Sequence, residues 1–332
     1  MENVFCAEQS QQSGVDIIGS ASEHQLYVAI ECPPPWTSYD LESKGIPDNL
    51  RELGEAIYGD YDRFQTRFLL IYNERLNRAG CTRVLFFRKP SGLANAYSKQ
   101  EFHLADIQAV APLVQQYVMG APLTESPIEQ TTRDILICTH GSRDRCCARF
   151  GNRIYHQALQ IVDECSLEQV RVWQASHIGG HRMAPTAIDF PTARYYGYLD
   201  QSSLKAILTQ TDNIQALGSV YRGWGLLPWA AQVVEKDLLL KHGWDWFNCK
   251  VTAQVLEHNE DETFNRVELS YRTATGEQQT YRAEVVADVE QTVYLKSSCN
   301  SENAAEVTPY VVRDLFPIQT AATEKMQLIS IN

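Results

Sequence analysis

The middle third of the chain constrains the fold most, because short apolar runs and polar loops follow one another there in a readable order. Residues 134–138 form a short apolar run that is typical of a buried strand. Residues 152–164 carry apolar side chains on one helical face, and residues 170–174 form a second strand-like run. Residues 186–190 and 194–198 flank a short proline-containing connection, which favours a β-hairpin.

A strand, a helix, a second strand and a hairpin in this order predict a thioredoxin-like domain over residues 129–205. Three strand-like runs and two helical stretches predict an α/β domain over residues 1–128, for which a degenerate thioredoxin-like fold is one interpretation. Residues 206–332 predict a helix followed by an antiparallel sheet. The fold class is therefore predicted to be α/β, with a central domain flanked by an N-terminal α/β region and a C-terminal α+β region.

Three local predictions concern the connections between these elements. Residues 140–149 are interpreted as a polar, arginine-rich loop that precedes the helix of the central domain. Residues 222–225, Arg-Gly-Trp-Gly, are interpreted as a turn before a helix over 227–240. Residues 292–296 are interpreted as the last strand of the C-terminal antiparallel sheet.

Two pairs of residues with metal-binding side chains follow the two strands of the central domain. Cys138 ends the first strand, and Cys147 lies nine positions later. His177 and His181 flank a Gly-Gly pair just after the second strand. Thiolates suit iron–sulfur clusters and zinc, and imidazole suits iron, zinc and copper. Because both loops leave the same end of a small sheet, these four residues are predicted to hold a metal centre from opposite sides.

The same residues carry a resemblance to a known family. The stretches 138–148 (Cys-Thr-His-Gly-Ser-Arg-Asp-Arg-Cys-Cys-Ala) and 177–186 (His-Ile-Gly-Gly-His-Arg-Met-Ala-Pro-Thr) resemble the sucrase/ferredoxin-like family of thioredoxin-like ferredoxins. This resemblance implies a [2Fe–2S] cluster as cofactor, held by Cys138, Cys147, His177 and His181. It also implies an electron-transfer role, so no catalytic residue is assigned and an electron carrier is favoured over a stand-alone enzyme.

Four neighbouring residues are assigned secondary roles. Cys146 is adjacent to Cys147 and is the alternative ligand, although only Cys147 has the family's spacing from Cys138. His140 is interpreted as a structural residue of the loop and not as a ligand. Arg143 and Arg182 are interpreted as a positive second layer around the cluster, with solvated surface arginines as the equally favoured alternative.

The ligand pattern leads to two expectations about redox behaviour. Both cysteines are expected on one iron and both histidines on the other, with a potential above the roughly −400 mV of plant-type ferredoxins. An imidazole ligand can also release its second proton when the iron is oxidised, so electron transfer is expected to be coupled to proton transfer.

Composition sets the context of the chain. A net charge of −12 argues against binding nucleic acid and suits docking on a basic redox partner protein such as a reductase. Nine scattered cysteines, with no secretory signal, indicate a reducing compartment, and the cytoplasm is the predicted location. No apolar run is long enough to predict a membrane span.

Three other functions compete with this interpretation. The same four residues are a legitimate zinc set, which would give a structural or regulatory module. The vicinal pair Cys146 and Cys147 would serve a thiol-redox module, although it matches Cys-x-x-Cys poorly. The family name also suggests a sucrase, yet no pair of carboxylates stands out as the acid and base that glycoside hydrolysis needs.

Overall fold

The computed structural model describes residues 5–318. Its α-helices are α1 (Cys6–Gln12), α2 (Asp48–Gly59), α3 (Tyr61–Phe64), α4 (Val110–Met119), α5 (Arg145–Glu164), α6 (Gln201–Thr209) and α7 (Trp229–His242). Its strands are β1 (Leu26–Glu31), β2 (Thr66–Tyr72), β3 (Thr82–Arg88), β4 (Ser98–Leu104), β5 (Arg133–Cys138), β6 (Val170–Ala175), β7 (Ala187–Phe190), β8 (Arg194–Tyr196), β9 (Tyr221–Trp224), β10 (Lys250–His258), β11 (Phe264–Arg272), β12 (Gln278–Ala287), β13 (Val293–Lys296), β14 (Ala304–Val307) and β15 (Tyr310–Ile318).

A nine-stranded mixed sheet dominates the molecule, with the strand order β4-β3-β1-β2-β6-β5-β7-β8-β9. Its first four strands and the next four repeat one arrangement, a parallel strand–helix–strand pair followed by an antiparallel hairpin. The two units meet where β2 and β6 pair antiparallel, with Ile71 opposite Ala175 and Tyr72 opposite Gln174. The predicted α/β fold class is therefore confirmed.

The two domain limits predicted from the sequence, after residues 128 and 205, fall at different kinds of position in the structure. The limit after residue 128 falls between α4 and β5, although strands from both sides join the one sheet. The limit after residue 205 falls inside α6, and β9 beyond it pairs with β8 as the last strand of the sheet. Hydrogen-bonded strands therefore run across the whole of residues 26–224.

Three local predictions were wrong. Helix α5 begins at Arg145, inside the predicted loop 140–149, because the Asp144 carboxylate accepts a hydrogen bond from the Cys146 backbone N–H (2.8 Å) and caps the helix. The predicted turn at 222–225 is mostly strand β9. Strand β13 pairs with β14 in a two-stranded ribbon, whereas the four-stranded antiparallel sheet has the order β10-β11-β12-β15.

Apolar side chains explain why the central helix sits where it does. The buried face of α5 includes Ile154, Tyr155, Ala158 and Ile161, at the helical spacing seen in the sequence. They pack in one core with the inward residues of β5 and β6. This packing fixes the first turn of α5 against the ends of both strands. Within residues 5–318, no helix is both long and apolar enough to cross a membrane.

Candidate metal centre

Two loops meet at one edge of the sheet. Strands β5 and β6 are parallel, so the loop after Cys138 and the loop after Ala175 lie side by side. The first loop leads into α5, whose first turn carries Cys147. The second loop carries His177 and ends in a 3-10 turn that begins at His181.

Three of the four predicted ligands lie in one compact group. The Sγ atoms of Cys138 and Cys147 and a ring nitrogen of His177 all lie within 4.8 Å of one another. His177 Nδ1 is 4.0 Å from each of the two Sγ atoms. Both cysteines are buried, with 1% of their surface exposed, and His177 is half-buried. Two thiols and an imidazole thus lie together at a position that is largely shielded from solvent.

His181 lies next to this group but outside it. Its ring centroid is 5.1 Å from that of His177. Its Nδ1 is buried and has no hydrogen-bond partner among the described residues. The nearby Ser297 backbone counteracts, in part, the lowering of the His181 pKa by burial. A buried imidazole nitrogen without a partner is a position that a metal ion can occupy.

The protonation tendencies of these groups suit metal binding. A hydrogen bond from Cys147 lowers the pKa of the Cys138 thiol well below its usual value, and His177 acts in the same direction. Burial lowers the pKa of His181, and the neighbouring His177 lowers it further. Metal ligands must be thiolates and neutral imidazoles, so these two shifts favour the ligating forms. The Cys138 thiolate and burial raise the pKa of Cys147, so its thiolate needs the positive charge of a bound metal. The residues present therefore fit a metal centre with sulfur and nitrogen donors.

His140 is held at both ring nitrogens by the backbone. Its Nδ1 accepts a hydrogen bond from the His177 N–H (3.0 Å), and its Nε2 donates to the Thr37 carbonyl (2.6 Å). The side chain is buried, with 2% exposed. It therefore links the first unit of the sheet to the histidine loop and has no nitrogen free for a metal.

Replacing His140 with alanine is expected to lower the free energy of unfolding by about 2 kcal/mol or more, because a buried N–H and a buried carbonyl lose their partners. Urea unfolding of the metal-free chain measures this loss. His156→Ala is the control, since His156 is exposed on α5. Equal midpoints for the two variants would contradict the linking role of His140.

Two arginines that the sequence analysis missed hold the histidine loop. Arg67 Nη2 donates to the His177 carbonyl (2.6 Å), and Arg222 Nη1 donates to the Gly179 carbonyl (3.1 Å). A Cβ at Gly180, where φ is +75°, would come within 2.7 Å of the Arg222 guanidinium. The loop therefore needs glycine at position 180. Arg67 could have been found in the sequence, because it is a charged residue inside an otherwise apolar strand.

The two arginines predicted from the sequence, Arg143 and Arg182, differ in their exposure. Arg143 is exposed, with its guanidinium 5.9 Å from the centre of the Tyr39 ring. Arg182 is half-buried, and its charge interacts with Tyr198 and Cys6. A fully buried guanidinium beside the histidine loop belongs to Arg222, whose pKa burial lowers to about 10.

Cys146 points away from this centre. Its Sγ lies with those of Cys6 and Cys299 in a second group, which also includes Asp144. Adjacent positions on a helix are turned by about 100°, so Cys146 and Cys147 present their thiols to different neighbours. Of the two, the structure brings Cys147 to Cys138 and His177.

Comparison with known proteins identifies what this arrangement is similar to. The model of a family described as sucrase/ferredoxin-like matches residues 17–223, which is nearly the whole of the nine-stranded sheet. "Altered inheritance of mitochondria protein 32" from Meyerozyma guilliermondii is 28% identical over 109 residues, which are 30% of this chain and 39% of that protein. The match thus spans about two fifths of this relative's length. No solved structure matches the chain.

Proposed function

Because the chain belongs to the sucrase/ferredoxin-like family, we propose that it binds a [2Fe–2S] cluster and acts as an electron carrier. The observation that carries this proposal is the compact group of Cys138, Cys147 and His177 with the unpaired Nδ1 of His181 beside it. Two thiols and two imidazoles match the mixed ligation that the resemblance implies.

The proposed ligand set divides between the two loops. Cys138 and Cys147 come from the end of β5 and the start of α5, and both histidines come from the loop after β6. We propose that the two thiolates bind one iron and the two imidazoles the other. When bound, the cluster supplies the capacity to accept and release one electron.

The protein's own residues tune that capacity. Neutral imidazoles in place of two thiolates leave less negative charge, which favours a potential above about −400 mV. Arg222 and Arg67 add positive charge next to the histidine loop, and this favours the reduced state further. A cavity of about 230 Å³ borders His177 and gives solvent protons a route to this ligand.

A redox protein is the proposed partner. The net charge of −12 favours a basic docking surface on that partner, such as the surface of a reductase, and disfavours nucleic acid. We also propose the cytoplasm as the location, because nine cysteines without a disulfide among the described residues suit a reducing compartment. The name of the fungal relative refers to mitochondria, so cell fractionation tests this part.

Anaerobic purification of the full chain tests the central proposal. About two irons and two acid-labile sulfides per chain are expected, with a brown-red colour and an EPR signal after one-electron reduction. A colourless protein with zinc at Cys138, Cys147, His177 and His181 would replace the proposal with the structural module. Glucose release from sucrose would instead support the hydrolase suggested by the family name.

The reduction potential is expected to fall as pH rises in the alkaline range, by up to about 59 mV per pH unit for one proton per electron. Oxidation raises the charge on iron and makes a bound imidazole more acidic, so the oxidised form loses the proton first. Redox titration followed by visible absorbance measures the slope.

His181→Cys provides the comparison for this slope. A third thiolate is expected to lower the potential and to reduce the slope, since one imidazole is lost. A wild-type potential that stays constant from mildly acidic to strongly alkaline pH would refute proton coupling.

A further inference from the structure

A second group of potential metal ligands lies on the other side of the first turn of α5. The Cys146 Sγ is 3.5 Å from the Cys6 Sγ and 3.2 Å from the Cys299 Sγ, and the Cys299 and Cys6 sulfurs are 3.6 Å apart. A carboxylate oxygen of Asp144 completes the group, in which all four ligand atoms lie within 4.8 Å of one another. Three sulfurs and one oxygen thus surround a common point.

The sulfur spacing fits a tetrahedral metal site better than a disulfide. Metal–sulfur bonds of about 2.3 Å at tetrahedral angles place two sulfurs about 3.8 Å apart. Two of the observed distances, 3.5 and 3.6 Å, are near this value, and the third is shorter, at 3.2 Å. A disulfide requires about 2.05 Å. A disulfide would also use only two of the three thiols. The geometry therefore indicates one metal ion that is bound by all three sulfurs.

Asp144 is fixed in place and keeps spare acceptor capacity. One of its oxygens accepts from the Cys146 N–H (2.8 Å), and the other accepts from the Cys299 N–H (2.9 Å). A carboxylate has about four lone-pair positions, so each oxygen keeps one for a cation. Asp144 is buried, with 2% exposed, as are Cys6 with 2% and Cys146 with 0%. A buried carboxylate beside buried thiols is unlike a solvated acidic surface.

Positive side chains surround this group. The guanidinium groups of Arg145 and Arg149 lie 5.8 Å and 5.0 Å from the centre of the Phe5 ring, next to Cys6. Arg182 is close enough for the Cys6 thiol to influence its pKa. Three thiolates and a carboxylate would leave net negative charge around a divalent cation, which these arginines offset.

We propose that Cys6, Cys146, Cys299 and Asp144 bind one Zn²⁺ ion at a structural site separate from the electron-transfer centre. Zinc takes sulfur and carboxylate ligands and prefers four-coordinate tetrahedral geometry. The site joins helix α1, the first turn of α5 and the hairpin between β13 and β14.

Element analysis of the full chain tests the proposal with two variants. Wild type is expected to contain about one zinc per chain in addition to its iron, and Cys299→Ser is expected to lose at least about nine tenths of the zinc. Cys138→Ser is expected to lose iron and keep zinc, which separates the two sites even if the proposed cluster is absent. Cys165→Ser is the matched control, because Cys165 is also half-buried and ends α5.

X-ray absorption at the zinc edge of wild type needs no variant and covers the case in which Cys299→Ser does not fold. Three sulfurs at about 2.3 Å and one oxygen at about 2.0–2.2 Å are expected. A nitrogen-rich shell would overturn the assignment, as would zinc retained by Cys299→Ser, or a wild type without zinc after supplementation. A Cys146–Cys299 disulfide in protein quenched anaerobically with a thiol-blocking reagent would also overturn it.

Discussion

Cys147→Ser is expected to reduce bound iron to less than about one tenth of the wild-type content, because a serine hydroxyl is a poor iron ligand at neutral pH. The Cys147 Sγ lies within 4.8 Å of the other members of the first group and is buried. Removing it opens the sulfur side of the proposed cluster. Iron analysis and the visible spectrum of anaerobically purified protein measure the loss.

The same replacement at Cys146 is the most informative comparison. Cys146 is the neighbouring residue, equally buried and in the same helical turn, yet its Sγ lies with Cys6 and Cys299. Cys146→Ser is therefore expected to bind as much iron per folded chain as wild type. Iron analysis gives the iron content, and circular dichroism gives the folded fraction. Loss of iron in Cys146→Ser with retention in Cys147→Ser would reverse the assignment of the ligand.

Gly151→Ala is expected to lower the free energy of unfolding by about 3 kcal/mol or more, since the added methyl group meets backbone that cannot move aside. A Cβ at Gly151 would overlap the carbonyl oxygen of Cys138 and lie 3.0 Å from its carbonyl carbon. Relief of this clash requires α5 to move away from the end of β5. Iron retention is expected to fall as well, because that movement separates Cys147 from Cys138.

Urea unfolding of the metal-free chain, together with iron content after reconstitution, measures both effects. Gly59→Ala is the control, because Gly59 ends helix α2 and an added Cβ there has no atom within 4 Å. Alanine at that position is expected to leave stability unchanged or to raise it by up to about 1 kcal/mol. Similar midpoints for the two variants would show that α5 and β5 are not in rigid contact.

The proximity of Cys138, Cys147 and His177 could be predicted from the sequence because these residues lie on consecutive elements. The sequence runs before Cys138 and before His177 have the pattern of strands. Parallel strands such as these end at the same edge of a sheet. The choice between Cys146 and Cys147 was harder, since it depends on where α5 begins. The polar stretch 140–149 hid that start, and only the hydrogen bond from Cys146 N–H to Asp144 reveals it.

The contributions from distant parts of the chain could not be predicted. Arg67 and Arg222 reach the histidine loop from β2 and β9, and neither residue belongs to a local motif. Cys6 and Cys299 are 293 positions apart and meet only through the folded chain. The repeat of the four-stranded unit was suggested only by one interpretation of residues 1–128, a degenerate thioredoxin-like fold, because the same strand order is built from different residues in the two halves.

The hydrogen bonds from Arg67 and Arg222 to the histidine loop become possible at different stages of protein synthesis. All four proposed ligands have been synthesised once residue 181 is added, but Arg222 is synthesised later. A nascent chain that ends between these points has all four proposed ligands but lacks the hydrogen bond from Arg222 to the Gly179 carbonyl. The histidine loop therefore gains its full set of arginine hydrogen bonds only after residue 222 has been synthesised and β9 has joined the sheet.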